Sequence, residues 1–151
     1  MSSSGARDYL DPFRRHPLTD SNEQIIRRLY SAMAKPTLEE TLQLLTEDVE
    51  FVVPGTPGLG AAGTWRGAEG VCECMRRLRE GQENQSVEVR EFVSEGDHVV
   101  VRLHVRAKVI APGKSFESDI VHFFTLRGGK VARLLDFFDT AALSTAYVRE
   151  L

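Results

Sequence analysis

The chain has 151 residues and a formal net charge of −3, and 42% of its residues are hydrophobic while 27% are charged. This length and composition are typical of one soluble domain with one core. The slight acidity argues against nucleic acid as a partner. No apolar run approaches the roughly 20 residues that a membrane-spanning helix needs. The opening residues MSSSG lack the apolar core of a secretory signal, so we expect a cytoplasmic protein.

The sequence offers no metal or cofactor motif. Cys72 and Cys74 stand two residues apart, and on a helix such positions point about 200° away from each other. They would therefore neither bridge to each other nor hold one ion together, and no further ligands follow at metal-site spacing. The glycines of residues 55–63 lack the Lys-Ser/Thr of a phosphate-binding loop. We expect neither a metal nor an organic cofactor.

The first segment is predicted to lie outside the folded domain. Residues 1–19 are polar and are interrupted by Pro12 and Pro17. Such a composition is typical of a flexible N-terminal tail or of an arm over a neighbouring subunit. A single domain is expected over residues 20–151.

Two helices are predicted next. Ser21 and Gln24 have the spacing of a capping box, and apolar residues at helical spacing follow them. The first helix is expected from Asn22 to Ala34. Thr37 and Glu40 form a second such pattern, which predicts a short second helix with Leu38, Leu42 and Leu45 on its apolar side.

A strand, a long loop and a third helix come after them. Residues 48–53 alternate in a way that predicts a strand. Residues 54–64 are rich in Gly and Pro and predict a lid or an irregular rim. Trp65 then leads into a helix that Gly81 ends.

The remainder of the chain predicts an antiparallel meander. Runs rich in Val, Ile and Phe are separated by short Gly-containing turns. An irregularity is expected near Glu91, and Asp139 is the predicted N-cap of a closing helix. The strands are expected at 86–94, 99–109, 116–126 and 131–138. This order predicts an α+β fold: a cone-shaped barrel made of a curved, mostly antiparallel sheet, with three to four helices over its concave face.

Several phrases resemble the SnoaL-like proteins of the nuclear-transport-factor-2-like superfamily, which also holds ketosteroid isomerase and limonene epoxide hydrolase. The resemblance covers about residues 22–147. It implies the cone-shaped fold, an apolar pocket and a homodimer formed through the outer face of the sheet, but no particular activity. The phrases are LTEDV at 45–49, TWRG at 64–67, VHFFTL at 121–126, GKV at 129–131 and FDTA at 138–141.

The ketosteroid isomerase set is incomplete in this chain. Tyr30 stands at the position of the family's helix tyrosine. The two acid positions of that family fall on Val53 and Val121. Because valine neither takes nor gives a proton, the resemblance does not imply steroid isomerisation by that mechanism.

The epoxide hydrolase set is half retained. Arg102-Leu103-His104 stands where the family has Arg-x-Asp, and Asp136 stands at the last-strand aspartate. The first-strand positions of its water-holding Tyr and Asn are Phe51 and Val53. The resemblance therefore leaves epoxide hydrolysis as one of the alternative reactions.

A catalytic set is predicted from these retained residues. His104 and Asp136 are expected to pair across inner strands and to move a proton or activate a water, with Arg102 holding the carboxylate ionised. A buried carboxylate in an apolar strand needs such a partner. The alternative is that Arg102 and His104 lie on a solvated or dimer-facing side of their strand. His122 is interpreted as a structural histidine.

The predicted pocket takes an apolar, oxygenated small molecule such as a polyketide, terpenoid or steroid-like compound. Two functions remain open: an acid–base isomerase, cyclase or hydrolase without a cofactor, and a non-catalytic ligand-binding or accessory dimeric module. The predicted substrate-binding residues are Tyr30, Phe51, Val53, Trp65, Asp119, Val121 and Phe123.

Overall fold

The computed structural model describes residues 21–148, so the tail predicted at 1–19 lies outside the described part of the chain. The elements in chain order are helices and strands that we number separately. They are α1 (Asn22–Met33), α2 (Glu39–Gln43), β1 (Leu45–Val53), β2 (Gly63–Arg66), α3 (Gly67–Gly81), β3 (Gln82–Glu95), β4 (His98–Val109), β5 (Ser115–Arg127), β6 (Lys130–Phe137) and α4 (Thr140–Tyr147).

The first helix forms as predicted. The Ser21 hydroxyl accepts the backbone N–H of Gln24 at 3.2 Å, and the Gln24 side chain accepts the backbone N–H of Ser21 at 2.9 Å. These two bonds complete the capping box and satisfy donors that a helix start leaves free. Ile26 and Leu29 are fully buried, which fixes the face that α1 turns toward the sheet.

The second helix is shorter than predicted, and its capping box does not form. Leu38 is the N-cap and makes no side-chain cap hydrogen bond. The Glu40 carboxylate instead accepts from the Lys35 ammonium at 2.7 Å, which takes it away from the backbone that a capping box would use. Leu45, expected on this helix, opens β1.

The predicted loop ends earlier than expected, because its last residues form an edge strand. Trp65 of β2 pairs with Phe51 of β1 in antiparallel register. The pairing supplies backbone partners to β1 that a free loop would not provide. The segment between these strands covers residues 54–62.

Six strands form one curved sheet in the order β2-β1-β6-β5-β4-β3. The β1–β6 pair is parallel, and every other neighbouring pair is antiparallel. The register between β3 and β4 shifts between Val89 and Glu91, where an irregularity was predicted. This is an α+β fold of the predicted kind, with a mostly antiparallel sheet.

Strand alternation gives the sheet two chemically different faces. The inner face, which the helices cover, carries the core, and buried residues of β4 such as Val101 and Leu103 alternate with Arg102 and His104 on the outer face. Ile26, Leu29 and Val71 join that core from α1 and α3. No helix within residues 21–148 is both long and apolar enough to cross a membrane.

Candidate functional site

Three polar side chains meet on the inner face, under α1. Tyr30 comes from the last part of α1, His122 from the middle of β5 and Asp136 from the end of β6. His122 and Asp136 are direct cross-strand partners, and such pairs hold their side chains about 5 Å apart at Cβ. We call Tyr30, His122 and Asp136 the inner cluster.

The inner cluster is a directed chain of polar contacts. The Tyr30 hydroxyl lies 2.8 Å from His122 Nδ1, and His122 Nε2 lies 3.4 Å from Asp136 Oδ1. The carboxylate on the Nε2 side favours a proton on that nitrogen. Nδ1 then has a free lone pair, so the Tyr30 hydroxyl donates to it. Every donor in the chain therefore points toward Asp136.

Asp136 has unused capacity to accept a hydrogen bond. Its Oδ1 is buried and has no hydrogen-bond partner within residues 21–148, and its 3.4 Å approach to His122 Nε2 is an ion-pair contact only. Its side chain is 18% exposed. A buried carboxylate oxygen without a donor is costly, so this atom is suited to accept a donor group from a bound molecule or a water.

Burial and charge determine the protonation state of the neighbouring groups. Burial, with a smaller contribution from the Asp136 carboxylate, raises the pKa of the Tyr30 phenol far above its ordinary value. Burial, followed by the same carboxylate and partly offset by Arg77, raises the pKa of the Cys74 thiol to about 12. Tyr30 therefore stays a proton donor at neutral pH, and Cys74 is not a thiolate nucleophile.

Aromatic and aliphatic side chains surround the inner cluster. Phe124 contacts the rings of Tyr30 and His122 edge-on, at centroid distances of 5.9 and 5.7 Å. Trp65 is half-buried beside the cluster of Val53, Ala61 and Cys74. Its indole N–H donates to the Ala61 carbonyl at 2.9 Å, which fixes the ring. Phe51, Val53 and Trp65 thus lie on the helix-covered side, where the sequence placed them, although Phe51 and Val53 are core residues.

The predicted pairing of His104 with Asp136 is wrong. His104 lies on the outer face, where its Nδ1 contacts Asp119 Oδ1 at 2.7 Å and its Nε2 contacts Glu117 Oε1 at 2.6 Å. Arg102, on the same face, donates to Glu91 at 2.6 and 2.9 Å. The cause is strand alternation, because even-numbered β4 residues point outward there. We call His104, Glu117 and Asp119 the outer cluster.

Three predicted substrate-binding residues also lie on the outer face. Asp119, Val121 and Phe123 alternate with the inward residues of β5, so none of them faces the inner cluster. The resemblance assigned the second acid position to Val121, one residue away from an inward position. The inward neighbour is His122, the cross-strand partner of Asp136.

The sequence analysis did not place His122 beside Tyr30 and Asp136, although a signal was present. His122 shares the parity of Phe124, a fully buried residue, and a histidine on a buried strand face needs a polar partner. That partner requires the β5–β6 register, which the sequence does not specify. Within residues 21–148, no group of three or more His, Cys, Asp or Glu side chains is arranged to hold a metal ion.

The fold and inner cluster define a class, a cone-shaped α+β domain with an ionisable group beneath its helices. A family model described as SnoaL-like domain matches residues 26–134. The chain therefore belongs to the SnoaL-like family, within the nuclear-transport-factor-2-like superfamily.

Solved structures and a mycobacterial relative agree with this assignment. An NTF2-like protein from Burkholderia xenovorans is 31% identical with a TM-score of 0.79, and the match covers 84% of this chain and 95% of that one. TerC, co-crystallised with polyporic acid, is also 31% identical with a TM-score of 0.69, over 83% of this chain and 97% of TerC. An uncharacterised Mycobacterium tuberculosis protein is 27% identical over 129 residues, or 85% of this chain and 96% of the relative.

Proposed function

We propose that this protein is an acid–base enzyme that works without a cofactor on an apolar, oxygenated small molecule. Asp136 takes a proton from the substrate or from a water that attacks it. The observation that carries the proposal is the buried Oδ1 of Asp136, which has no hydrogen-bond partner within residues 21–148 and lies at the end of the Tyr30–His122 chain. The reaction class is isomerisation, cyclisation or epoxide hydrolysis.

Each member of the inner cluster has a distinct role in this proposal. Asp136 is the base, because it alone of the three is an acceptor with free capacity. His122 stabilises the carboxylate electrostatically, with its Nε2 3.4 Å from Asp136 Oδ1. Tyr30, held in its protonated form by burial, fixes the tautomer of His122. Positioned groups of this kind contribute about 10²- to 10⁴-fold to a rate.

TerC supports the ligand class. TerC is 31% identical to this chain and was co-crystallised with polyporic acid. We propose that the present protein also accepts an apolar molecule that bears oxygen groups, with Trp65, Phe138 and the inner aromatic residues as its walls.

A panel of three probes tests the proposal: proton exchange of 1-tetralone in D₂O, isomerisation of a Δ5-3-ketosteroid and hydrolysis of limonene 1,2-epoxide. We expect turnover of at least one probe, with a loss of about 10²-fold or more in Asp136→Asn. The matched control is His104→Gln, since His104 is also held by two oxygen atoms but lies on the outer face. Circular dichroism verifies that both variants are folded.

The outcomes separate the enzyme from the second function that the sequence left open. A rate unchanged in Asp136→Asn, or lost equally in His104→Gln, would contradict the assignment of the base. Binding of the probes without turnover of any of them would instead favour the ligand-binding module.

We also propose a homodimer formed through the outer face. Cross-strand register places apolar side chains in one continuous row there, and Phe137, near its centre, is 52% exposed. Exposed apolar patches of this kind mark interaction surfaces. The residues of the row are Val93, Val100, Phe123, Leu135 and Val52.

Sedimentation of two variants tests the dimer. Phe137→Glu places a charge beside the row, two residues along β6 from Leu135, and should give a monomer. The control is Val87→Glu, because Val87 is equally exposed at 52% but lies on the inner side of β3, opposite Val105. Dimer formation that survives in Phe137→Glu would exclude this face. The cytoplasmic location stays a prediction from the sequence.

A further inference from the structure

An open groove of about 380 Å³ lies where α3, the loop at 54–62 and α4 meet. None of its lining residues belongs to the inner cluster. They combine two arginines, a glutamate, a tyrosine and two glycines: Gly60, Arg76, Arg77, Glu80, Gly81 and Tyr147.

The two arginines of the groove differ in how many hydrogen bonds their guanidinium groups make to the protein. Arg76 donates to Glu73 at 2.5 and 2.9 Å and to Glu80 at 2.6 Å, so its guanidinium is held by two carboxylates. Arg77 makes one hydrogen bond to the described residues, from Nε to Glu73 at 3.4 Å. The terminal amino groups of Arg77 have no acceptor within residues 21–148, and its side chain is 41% exposed. Arg77 therefore has donors free for a ligand.

The Tyr147 hydroxyl is a second free donor on the same groove. It has no hydrogen-bond partner in the described part of the chain, and burial raises the pKa of its phenol, so it remains protonated. Two glycines give the ring its place: a Cβ on Gly81 would lie 2.8 Å from Tyr147 Oη, and one on Gly60 would lie 3.5 Å away. A side chain at position 81 would displace the hydroxyl from the groove.

One residue of the groove, Arg77, contacts the aromatic ring of Trp65 on the helix-covered side of the sheet. The Arg77 guanidinium lies 5.1 Å from the centre of the Trp65 ring. Cys74, one turn earlier on α3, feels the charges of both Arg77 and Asp136. Trp65 and Cys74 also pack in one cluster with Phe138, which directly follows β6. Trp65 therefore connects Arg77 with the apolar cluster that includes Phe138.

We propose that this groove binds a carboxylate of the substrate, with the Arg77 guanidinium and the Tyr147 hydroxyl as its donors. The substrate is then an apolar carboxylic acid whose reacting end lies at the inner cluster, so the proposal rests on the proposed function for that end. A single negative charge fits better than a phosphate dianion, because Glu73 contacts Arg77, Glu80 lines the groove, and both carboxylates repel added charge.

Calorimetric titration with two matched probes tests the groove. The probes are biphenyl-4-carboxylate and biphenyl-4-carboxamide, which share a shape and differ in charge. We expect the wild-type chain to bind the carboxylate about tenfold more tightly, the effect of one charge-assisted hydrogen bond in a half-exposed site. Arg77→Gln should remove the preference without weakening amide binding, and Tyr147→Phe should reduce it.

Arg66→Gln is the matched control, because it removes the same charge from an exposed side chain outside the groove lining. It should leave the preference unchanged. Equal binding of the two probes to the wild type, a preference that survives in Arg77→Gln, or no binding of either probe would overturn the proposal.

A second variant separates this proposal from the proposed function. Asp136→Asn should abolish probe turnover but keep the carboxylate preference, since Asp136 does not line the groove. Turnover that depends on Asp136 together with equal binding of both probes would overturn the groove and leave the acid–base enzyme standing. A carboxylate preference without any Asp136-dependent turnover would support the groove and contradict the enzyme.

Discussion

The two faces of the sheet each carry a histidine held between two oxygen atoms, and the two sites have different chemistry. His104 lies between the carboxylates of Asp119 and Glu117 on the outer face, and its side chain is 24% exposed. His122 lies between a phenol and one carboxylate on the inner face, at 14% exposed. The outer histidine has both its nitrogens bound to charged partners. The inner cluster ends on a carboxylate oxygen with no donor.

This difference illustrates that the solvent around a polar pair decides how strong its electrostatic interactions are. Water screens the outer cluster, and exposed ion pairs contribute little to stability. The inner cluster lies beneath helices, where an unfilled acceptor is costly and electrostatic interactions are stronger. The proposed function uses that unfilled acceptor as the catalytic base.

The largest expected change in the free energy of unfolding comes from a comparison of two adjacent residues of β5. Phe124 is fully buried against Tyr30 and His122, so Phe124→Ala should lower the free energy of unfolding by about 3–5 kcal/mol. Phe123 lies on the outer face against the His98 ring, and Phe123→Ala should cost clearly less. Urea unfolding, at a protein concentration where the chain is monomeric, measures both. Equal losses would contradict the assignment of the two faces.

The next effect compares the partners of the two histidines. Tyr30→Phe leaves His122 Nδ1 without a donor in a buried setting, which should cost about 1–3 kcal/mol of unfolding free energy. Asp119→Asn removes an exposed partner of His104 and should cost much less. Urea unfolding measures both losses. ¹⁵N NMR of wild-type His122 gives an independent readout, and a proton on Nδ1 rather than on Nε2 would reverse the direction of the chain.

The smallest effect is the pH dependence of the outer cluster. Hydrogen bonds to Asp119 and Glu117 raise the pKa of His104, so its midpoint should lie above the ordinary value of about 6.5. Its stabilisation is complete below that pH and is lost as pH rises through the raised midpoint. NMR titration measures this midpoint, and added salt should move it toward the ordinary value.

The two carboxylates of the outer cluster set the lower limit of the pH range in which the cluster stabilises the fold. The same bonds lower the pKa values of Glu117 and Asp119, so their stabilisation is present above about pH 4 and is lost as pH falls through the lowered values. The cluster is therefore most stabilising between about pH 4 and 6.5. His104→Gln should flatten this dependence, and a low-salt midpoint of His104 at or below 6.5 would contradict it.

Local pattern was sufficient to predict most of the elements. Ser21, Gly81 and Asp139 were identified as helix boundaries because helix capping depends on residues that are close together in the sequence. The short strand around Trp65 was missed because its pairing with Phe51 is non-local. The Thr37 capping box failed because Lys35 competes for Glu40.

The site was predicted less well, for a reason of parity. Alternation correctly put Arg102 and His104 on one face, but it did not say which face the helices cover. Neighbouring residues of a strand point to opposite faces of the sheet. His122, and not Val121, is therefore the β5 residue that faces Asp136. Asp136 was identified because a lone carboxylate in an apolar strand demands a partner, and the register of β5 with β6 decides which partner it finds.

The parallel pairing of β1 with β6 has a consequence for biosynthesis. Phe51 becomes a neighbour of Leu134 only after more than half of the chain has been made between them. Contacts that distant in sequence form late, because the intervening segment must first lose its freedom. On a ribosome that synthesises from the N-terminus, β1 cannot pair with β6, and Asp136 cannot meet His122, until β6 itself has emerged.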